Sequence, residues 1–121
     1  MQPIDKLIQE VRKLAAEYPN ALYFPVNNIC SYTEGIVVKG PKEEGCIFGH
    51  AFRAAGFFMP EAGGIISDVL EDEMPEAPQD KKEWCSIVQR QQDNGSEWLW
   101  SVKSADKTIQ IANTDICEGK E

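Results

Sequence analysis

Three tryptophans and a run of polar side chains lie close together in the second half of the chain. Trp84, Trp98 and Trp100 fall within 17 residues, and the segment 90–94, RQQDN, lies between them. Indole faces stack on planar bases, and side-chain amides hydrogen-bond to base edges. The segment therefore indicates a site that holds a nucleobase.

The same tryptophans have a second interpretation as buried anchors of a pair of helices. Trp98 and Trp100 are two residues apart, so they cannot share one face of a helix. Trp100 is therefore the best candidate for an exposed or interface position. Two cations elsewhere in the chain, Arg53 and Lys107, could approach the phosphate groups of a ligand.

Cys46 and His50 are the residues whose spacing could support nucleophilic catalysis. They are four residues apart, so a helix would place them on one face. A thiolate beside an imidazole could act as a nucleophile with its base. The alternative is a buried cysteine beside a hydrogen-bonded histidine. The sequence indicates no third group that would orient this pair, so we expect no catalytic residue. His50 is the only histidine, and we expect no metal site and no cofactor.

The charge of the chain is acidic and concentrated in one segment. The formal net charge of the 121 residues is -8, and residues 68–83 hold seven carboxylates against two lysines. Wrapping of nucleic acid needs clustered lysine and arginine, so we expect no nucleic-acid partner. A small phosphorylated ligand needs only a few local cations and stays possible. A surface that imitates nucleic acid stays possible as well.

The composition predicts one globular domain, residues 1–121, in the cytoplasm. Hydrophobic residues make up 42% of the chain and charged residues 26%, as in ordinary soluble domains. No run approaches the roughly 20 apolar residues that a membrane span needs, and the first residues do not resemble a secretory signal. We therefore expect no membrane partner and reduced thiols at the four cysteines, Cys30, Cys46, Cys85 and Cys117.

The first half of the chain predicts a helix, two strands and a second helix. Apolar residues recur with helical spacing over 4–17. The short β-prone runs 22–24 and 36–38 predict a hairpin or two strands of a small sheet. The segment 45–56, GCIFGHAFRAAG, predicts a helix whose small residues allow close packing, with Gly56 just beyond its end.

The second half predicts a pair of helices. Residues 65–70 indicate a short helix or strand, and the acidic segment 71–80 a solvated, mobile loop. Asp80 is expected to cap a helix that ends at 94–95, and Ser96 to cap the next one. The alternating segment 108–113 predicts a closing strand. The fold class is therefore α+β, with a small antiparallel sheet packed against the N-terminal helix and the C-terminal helix pair.

Several short segments together resemble a group of small phage and prophage proteins. The segments are CSYTEG at 30–35, GCIFGHAFRAAG at 45–56 and VQRQQDNGSEW at 88–98, with Ala105 and Asp106 behind them. The similarity covers roughly residues 4–106, and its pattern is similar to that of the first type of Thoeris anti-defence sponges.

The resemblance implies a protein that binds cyclic ADP-ribose isomers and, as some of the sponges do, cyclic oligonucleotides, and that sequesters them without cleavage. It also implies a homo-oligomer, dimer or higher, with pockets at subunit boundaries, in the cytoplasm of an infected bacterium. The implied site draws on an aromatic near Trp84, an amide near Asn94, and cations such as Arg53 and Lys107. The chain departs from this pattern in having only three arginines.

Three functions follow as hypotheses from these observations. The first is a non-enzymatic sponge for a cyclic nucleotide, with Trp98 and Trp100 as further ligand-binding residues. The second is an acidic interaction protein that blocks a nucleic-acid-binding defence effector by mimicry. The third is a hydrolase that uses Cys46 and His50.

Overall fold

The computed structural model describes residues 2–25, 31–57 and 65–111. Within them the chain forms five helices and a two-stranded sheet, in the order α1 Pro3–Glu17, β1 Leu22–Phe24, β2 Ile36–Val38, α2 Ile47–Ala55, α3 Ile66–Glu73, α4 Gln79–Asp93 and α5 Trp98–Thr108. The fold is α+β, and the predicted N-terminal helix, antiparallel sheet and C-terminal helix pair are confirmed. Among these described residues, no helix has the length and apolar character needed to cross a bilayer.

Helix α1 forms because its apolar residues recur on one face. Ile4, Leu7, Ile8 and Val11 are fully buried in the core, and Pro3 occupies the first helical position, where its missing N–H costs nothing. The buried face packs on α2 and α5. The helix thus provides the surface on which both halves of the chain meet.

The sheet pairs β1 with β2 in antiparallel register, Tyr23 opposite Val37. Tyr23 points into the core, whereas Phe24 and Ile36 on the opposite face are exposed. The Tyr23 hydroxyl accepts a hydrogen bond from the Ser31 N–H at 2.9 Å and donates one to the Glu34 carbonyl at 3.0 Å. This hydroxyl therefore fixes the chain that leads into β2.

Helix α2 packs unusually close to the preceding chain at Gly49. A Cβ atom at this position would collide with the backbone carbonyl of Tyr32, so only glycine fits there. The helix ends at Gly56, whose φ of 77° is left-handed, as the sequence predicted. The small residues of this segment therefore serve close packing.

Four boundaries differ from the sequence predictions. Residues 71–73 belong to α3 and 79–80 to α4, so the acidic connection is shorter than 71–80. Pro78, not Asp80, precedes α4, and Glu97, not Ser96, precedes α5; neither residue makes a side-chain cap. No strand forms in the described part of 108–113, because Thr108 ends α5 and 109–111 are irregular; residues 112–113 lie outside the described residues.

Helices α4 and α5 form a tightly packed hairpin. Gly95, with a φ of 96°, turns the chain between them, and the Ser96 N–H donates to the Gln91 carbonyl at 3.0 Å. The start of α5 is held on the residue that precedes β1, because the Trp98 N–H donates to the Ala21 carbonyl at 3.0 Å. The pair is thereby fixed to the sheet as well as to α1.

Candidate functional site

Trp84 lies in the core and joins three helices. Its side chain is fully buried, and its indole nitrogen donates to Asp106 Oδ1 at 2.8 Å. Arg12 holds both carboxylate oxygens of Asp106 at 2.8 Å and lies 5.0 Å from the centre of the Trp84 ring. The ring therefore has no face open for stacking on a ligand in the chain as described.

Trp98 is a second core anchor. Its side chain is fully buried. It packs edge-on against Tyr18, with ring centres 6.5 Å apart, and lies 5.9 Å from the ring centre of His50. Trp84 and Trp98 therefore lie where the second interpretation predicted, as buried anchors of a pair of helices.

Trp100 has the exposed position that the sequence indicated. Its side chain is 55% exposed. Lys103, Ser104 and Lys107 follow it at helical spacing on the same side of α5, and both lysines are exposed. We call Trp100, Lys103, Ser104 and Lys107 the α5 face. Two of the predicted ligand-binding residues, Trp100 and Lys107, therefore share one surface.

Arg53 lies at a separate hollow of about 350 Å³ beside His50. Its guanidinium lies 3.1 Å from His50 Nδ1, and since a guanidinium only donates, Nδ1 must accept and the imidazole is neutral. Burial lowers the pKa of His50, and the charge of Arg53 lowers it further, while Glu43 acts in the opposite direction. The hollow also contains Glu17, so its charge is mixed rather than cationic.

Cys46 and His50 do not form a nucleophile–base pair in this geometry. Cys46 is the fully buried residue that precedes α2, and no hydrogen bond between its side chain and that of His50 is present in the described structure. His50 Nδ1 is engaged with Arg53 instead. The arrangement corresponds to the alternative of a buried cysteine near a hydrogen-bonded histidine.

The largest of the described hollows lies between the start of α3 and one face of α4. This α3–α4 cleft has a volume of about 530 Å³ and is lined by Ile65, Ser67, Glu83, Ser86, Gln89, Arg90, Asp93 and Asn94. Five of these residues lie on α4 and Asn94 follows its end; positions 83, 86, 90 and 94 recur at intervals of three or four, so they form one continuous polar stripe. A cleft of this size is typical of small-molecule sites.

Gln89 fixes the geometry of the α3–α4 cleft. This side chain is buried, and its Oε1 accepts a hydrogen bond of 2.7 Å from the Ile66 N–H at the start of α3. Arg90 and Asn94, one and five residues further along α4, remain exposed. One amide therefore holds the two helices together and leaves the neighbouring cation and amide available to a ligand.

The six predicted ligand-binding residues thus occupy four places. Trp84 and Trp98 are in the core, Arg53 lies beside His50, Asn94 lines the α3–α4 cleft, and Trp100 and Lys107 lie on the α5 face. Sequence reasoning missed Ser67, Ser86 and Gln89 as cleft residues. The polar stripe at 83, 86, 90 and 94 was the signal that could have identified the α4 side of the cleft.

Within residues 2–25, 31–57 and 65–111, no group of three or more His, Cys, Asp or Glu side chains is placed to hold a metal ion. No protein-family model, no curated protein and no solved structure matches the chain.

Proposed function

We propose that this protein binds and sequesters a nucleotide-type signal, of the class of cyclic ADP-ribose isomers and cyclic oligonucleotides, without cleaving it. The observation that carries the proposal is the α3–α4 cleft, where Asn94, Arg90 and Ser86 present an amide, a guanidinium and a hydroxyl from one side of α4. The resemblance to anti-defence sponges points to the same class of ligand and to the cytoplasm of an infected bacterium.

Five side chains in the cleft match parts of such a ligand. An amide such as that of Asn94 can donate to and accept from the edge of a base. The Arg90 guanidinium can bind a phosphate through two parallel hydrogen bonds. The hydroxyls of Ser67 and Ser86 and the carboxylate of Glu83 can pair with ribose hydroxyls. The lining carries the carboxylates of Glu83 and Asp93 beside its one cation, Arg90, so hydrogen bonds rather than net charge select the ligand in this proposal.

The proposal is binding without turnover. The described lining holds the hydroxyls of Ser67 and Ser86 and the carboxylates of Glu83 and Asp93, and the proposal assigns them to hydrogen bonds with the ligand. The only histidine of the chain lies instead beside Arg53, in a different hollow. The proposed protein acts by holding its ligand and releasing it intact.

Isothermal titration tests this function with a panel of cyclic ADP-ribose isomers and cyclic dinucleotides. Arg90→Ala and Asn94→Ala should each weaken binding by about tenfold or more, because each removes a direct contact. The matched controls are Lys42→Ala and Gln110→Ala, exposed residues outside the cleft lining, and they should bind normally. Ligand recovered after heat denaturation should be chemically intact. A silent titration across the whole panel would overturn the proposal.

A second candidate function, an acidic protein that blocks a nucleic-acid-binding effector, is favoured by a specific surface. All seven carboxylates of 68–83 are exposed. The two lysines of this segment are engaged, Lys81 with Asp5 at 2.6 Å and Lys82 with Glu71 at 3.0 Å. The surface therefore presents a net negative charge to a basic partner.

This second function predicts binding that weakens with salt. The triple variant Asp72→Asn, Glu73→Gln, Glu76→Gln removes three charges that are in no ion pair with a described residue. It should lose the ability to displace duplex DNA from a basic effector. If the triple variant displaces DNA as well as the native chain does, mimicry is not the function.

A further inference from the structure

Two outer helix faces carry complementary side chains at the same spacing. On α5, the exposed indole of Trp100 is followed by Lys103 three residues later and by Lys107 four residues after that. At the start of α3, Ile65 is 60% exposed and is followed at the same intervals by the exposed Asp68 and Asp72. The half-buried Val69 lies beside Asp68 and Asp72. We call Ile65, Asp68, Val69 and Asp72 the α3 face.

The four charges on these faces have no partner within the chain as described. The described ion pairs use other residues: Asp5, Glu10, Glu71 and Asp106 on the acidic side, and Lys6, Arg12, Lys13, Lys81 and Lys82 on the basic side. Helix α4 packs against both α3 and α5. The lysines of the α5 face and the aspartates of the α3 face can therefore each pair with a charge on another molecule.

We propose that the α5 face of one copy docks on the α3 face of a second copy, with the two helices parallel. In this arrangement Trp100 lies on Ile65, Lys103 opposite Asp68, and Lys107 opposite Asp72. The positions match because the intervals of three and four residues are equal, about 4.5 Å and about 6 Å along either axis at a rise of about 1.5 Å per residue. The indole covers the apolar side chains of Ile65 and Val69.

Further copies of this chain fit both faces, because one copy covers the α5 face and another covers the α3 face. An acidic partner of another kind would satisfy the lysines of the α5 face and leave the α3 face uncovered. Every copy of the chain carries one face of each sign, so each supplies what the other lacks. The contact is heterologous, and assembly therefore continues beyond one pair until a ring closes or a chain forms.

Salt and concentration should govern the association. Exposed ion pairs are individually weak, and the chain as a whole is acidic, with a net charge of -8, so two copies repel outside the contact. Raising the salt from about 0.05 M to about 0.5 M shortens the range of charge interactions to a few ångströms. We expect the weight-average mass at low salt to rise with protein concentration and to fall on adding salt.

Charge reversal tests the contact by sedimentation velocity at low salt. Lys103→Glu with Lys107→Glu, and separately Asp68→Lys with Asp72→Lys, should each weaken self-association by about tenfold or more. An equimolar mixture of the two variants should associate again, as should the chain that carries all four substitutions. Trp100→Ala should weaken the association without altering any charge.

The matched control for the lysine pair is Lys39→Glu with Lys42→Glu, which changes the net charge by the same amount at exposed positions before α2. It should associate as the native chain does. Circular dichroism melts confirm that each variant is folded. A native chain that stays monomeric at low salt, or variants that do not recover association when mixed, would overturn the proposal. This test needs no nucleotide, so its outcome is independent of ligand binding in the α3–α4 cleft.

Discussion

The indole nitrogen of Trp84 donates to Oδ1 of Asp106 across 2.8 Å, and this bond joins α4 to α5. Arg12 adds α1 to the same carboxylate through two further contacts of 2.8 Å. The aromatic residue that the family resemblance assigned to a ligand therefore holds three helices together. Asp106 is the acceptor on which this junction depends.

Removing the Asp106 carboxylate should destabilise the protein. Asp106→Ala leaves the buried indole N–H and the Arg12 guanidinium without this acceptor, and we expect the free energy of unfolding to fall by about 1–3 kcal/mol. Asp106→Asn retains one acceptor oxygen and should cost less. Urea unfolding measures both. The control Glu76→Ala, at an exposed loop position, should change stability by no more than about 0.5 kcal/mol; equal stability of Asp106→Ala and the native chain would contradict the prediction.

The three tryptophans should differ in accessibility and in their contribution to stability. Trp98→Ala should lower the free energy of unfolding by about 3–5 kcal/mol because it empties a fully buried site. Trp100→Ala should change it by no more than about 0.5 kcal/mol. Iodide should quench mainly Trp100, so Trp100→Phe should remove most of the quenchable emission of the native protein. Strong quenching that survives in Trp100→Phe would show that a second indole is accessible.

The elements of the fold were predictable because their signals are local. The periodicity of α1, the β-prone runs of the hairpin and the glycines that end α2 and α4 each specify a conformation within a few residues. The caps were not predictable to the residue. Asp80 and Ser96 have suitable side chains, but α4 begins two residues earlier than an Asp80 cap implies, and α5 begins one residue later than a Ser96 cap implies. Thr108 belongs to α5, and its hydroxyl donates to the Ser104 carbonyl at 3.0 Å, where strand alternation was expected.

The candidate site was less predictable because its geometry depends on distant contacts. Trp84 was placed correctly on the apolar side of α4, but its bond to Asp106 spans 22 residues. The α3–α4 cleft exists because Gln89 binds the backbone of Ile66, 23 residues away. Asn94 was identified by residue type alone, whereas its neighbours in the cleft depend on how α3 lies against α4.

Gly49 should be far less tolerant of a side chain than Gly56. In Gly49→Ala the new methyl group meets the Tyr32 carbonyl, so α2 must move away from the core, and we expect a loss of about 3 kcal/mol or more. Gly56→Ala meets no atom within 4 Å and pays only for its left-handed backbone, about 1–2 kcal/mol. Thermal and urea unfolding of the two variants give the comparison. A smaller loss for Gly49→Ala than for Gly56→Ala would show that the helix is not held against Tyr32.

His50 should make the stability of the protein depend on pH near and below the ordinary imidazole pKa. Burial and Arg53 lower its pKa in the folded state below the ordinary value of 6.5. As the pH falls, His50 in the unfolded chain therefore takes up a proton before His50 in the folded chain does. The contribution to stability is fully present above about pH 6.5 and decreases below it. The decrease ends when the pH passes the lowered pKa of the folded state.

Urea unfolding between about pH 7.5 and about pH 5 measures this loss, and His50→Gln should abolish most of it because no other histidine is present. Arg53→Gln removes one cause of the lowered pKa and should make the loss smaller. Glu43→Gln removes a charge that favours protonation and should make the loss larger. These opposite effects separate an electrostatic origin from simple repacking, which would shift stability equally at every pH. A native chain whose stability is constant across this range would show that the His50 pKa is the same in both states.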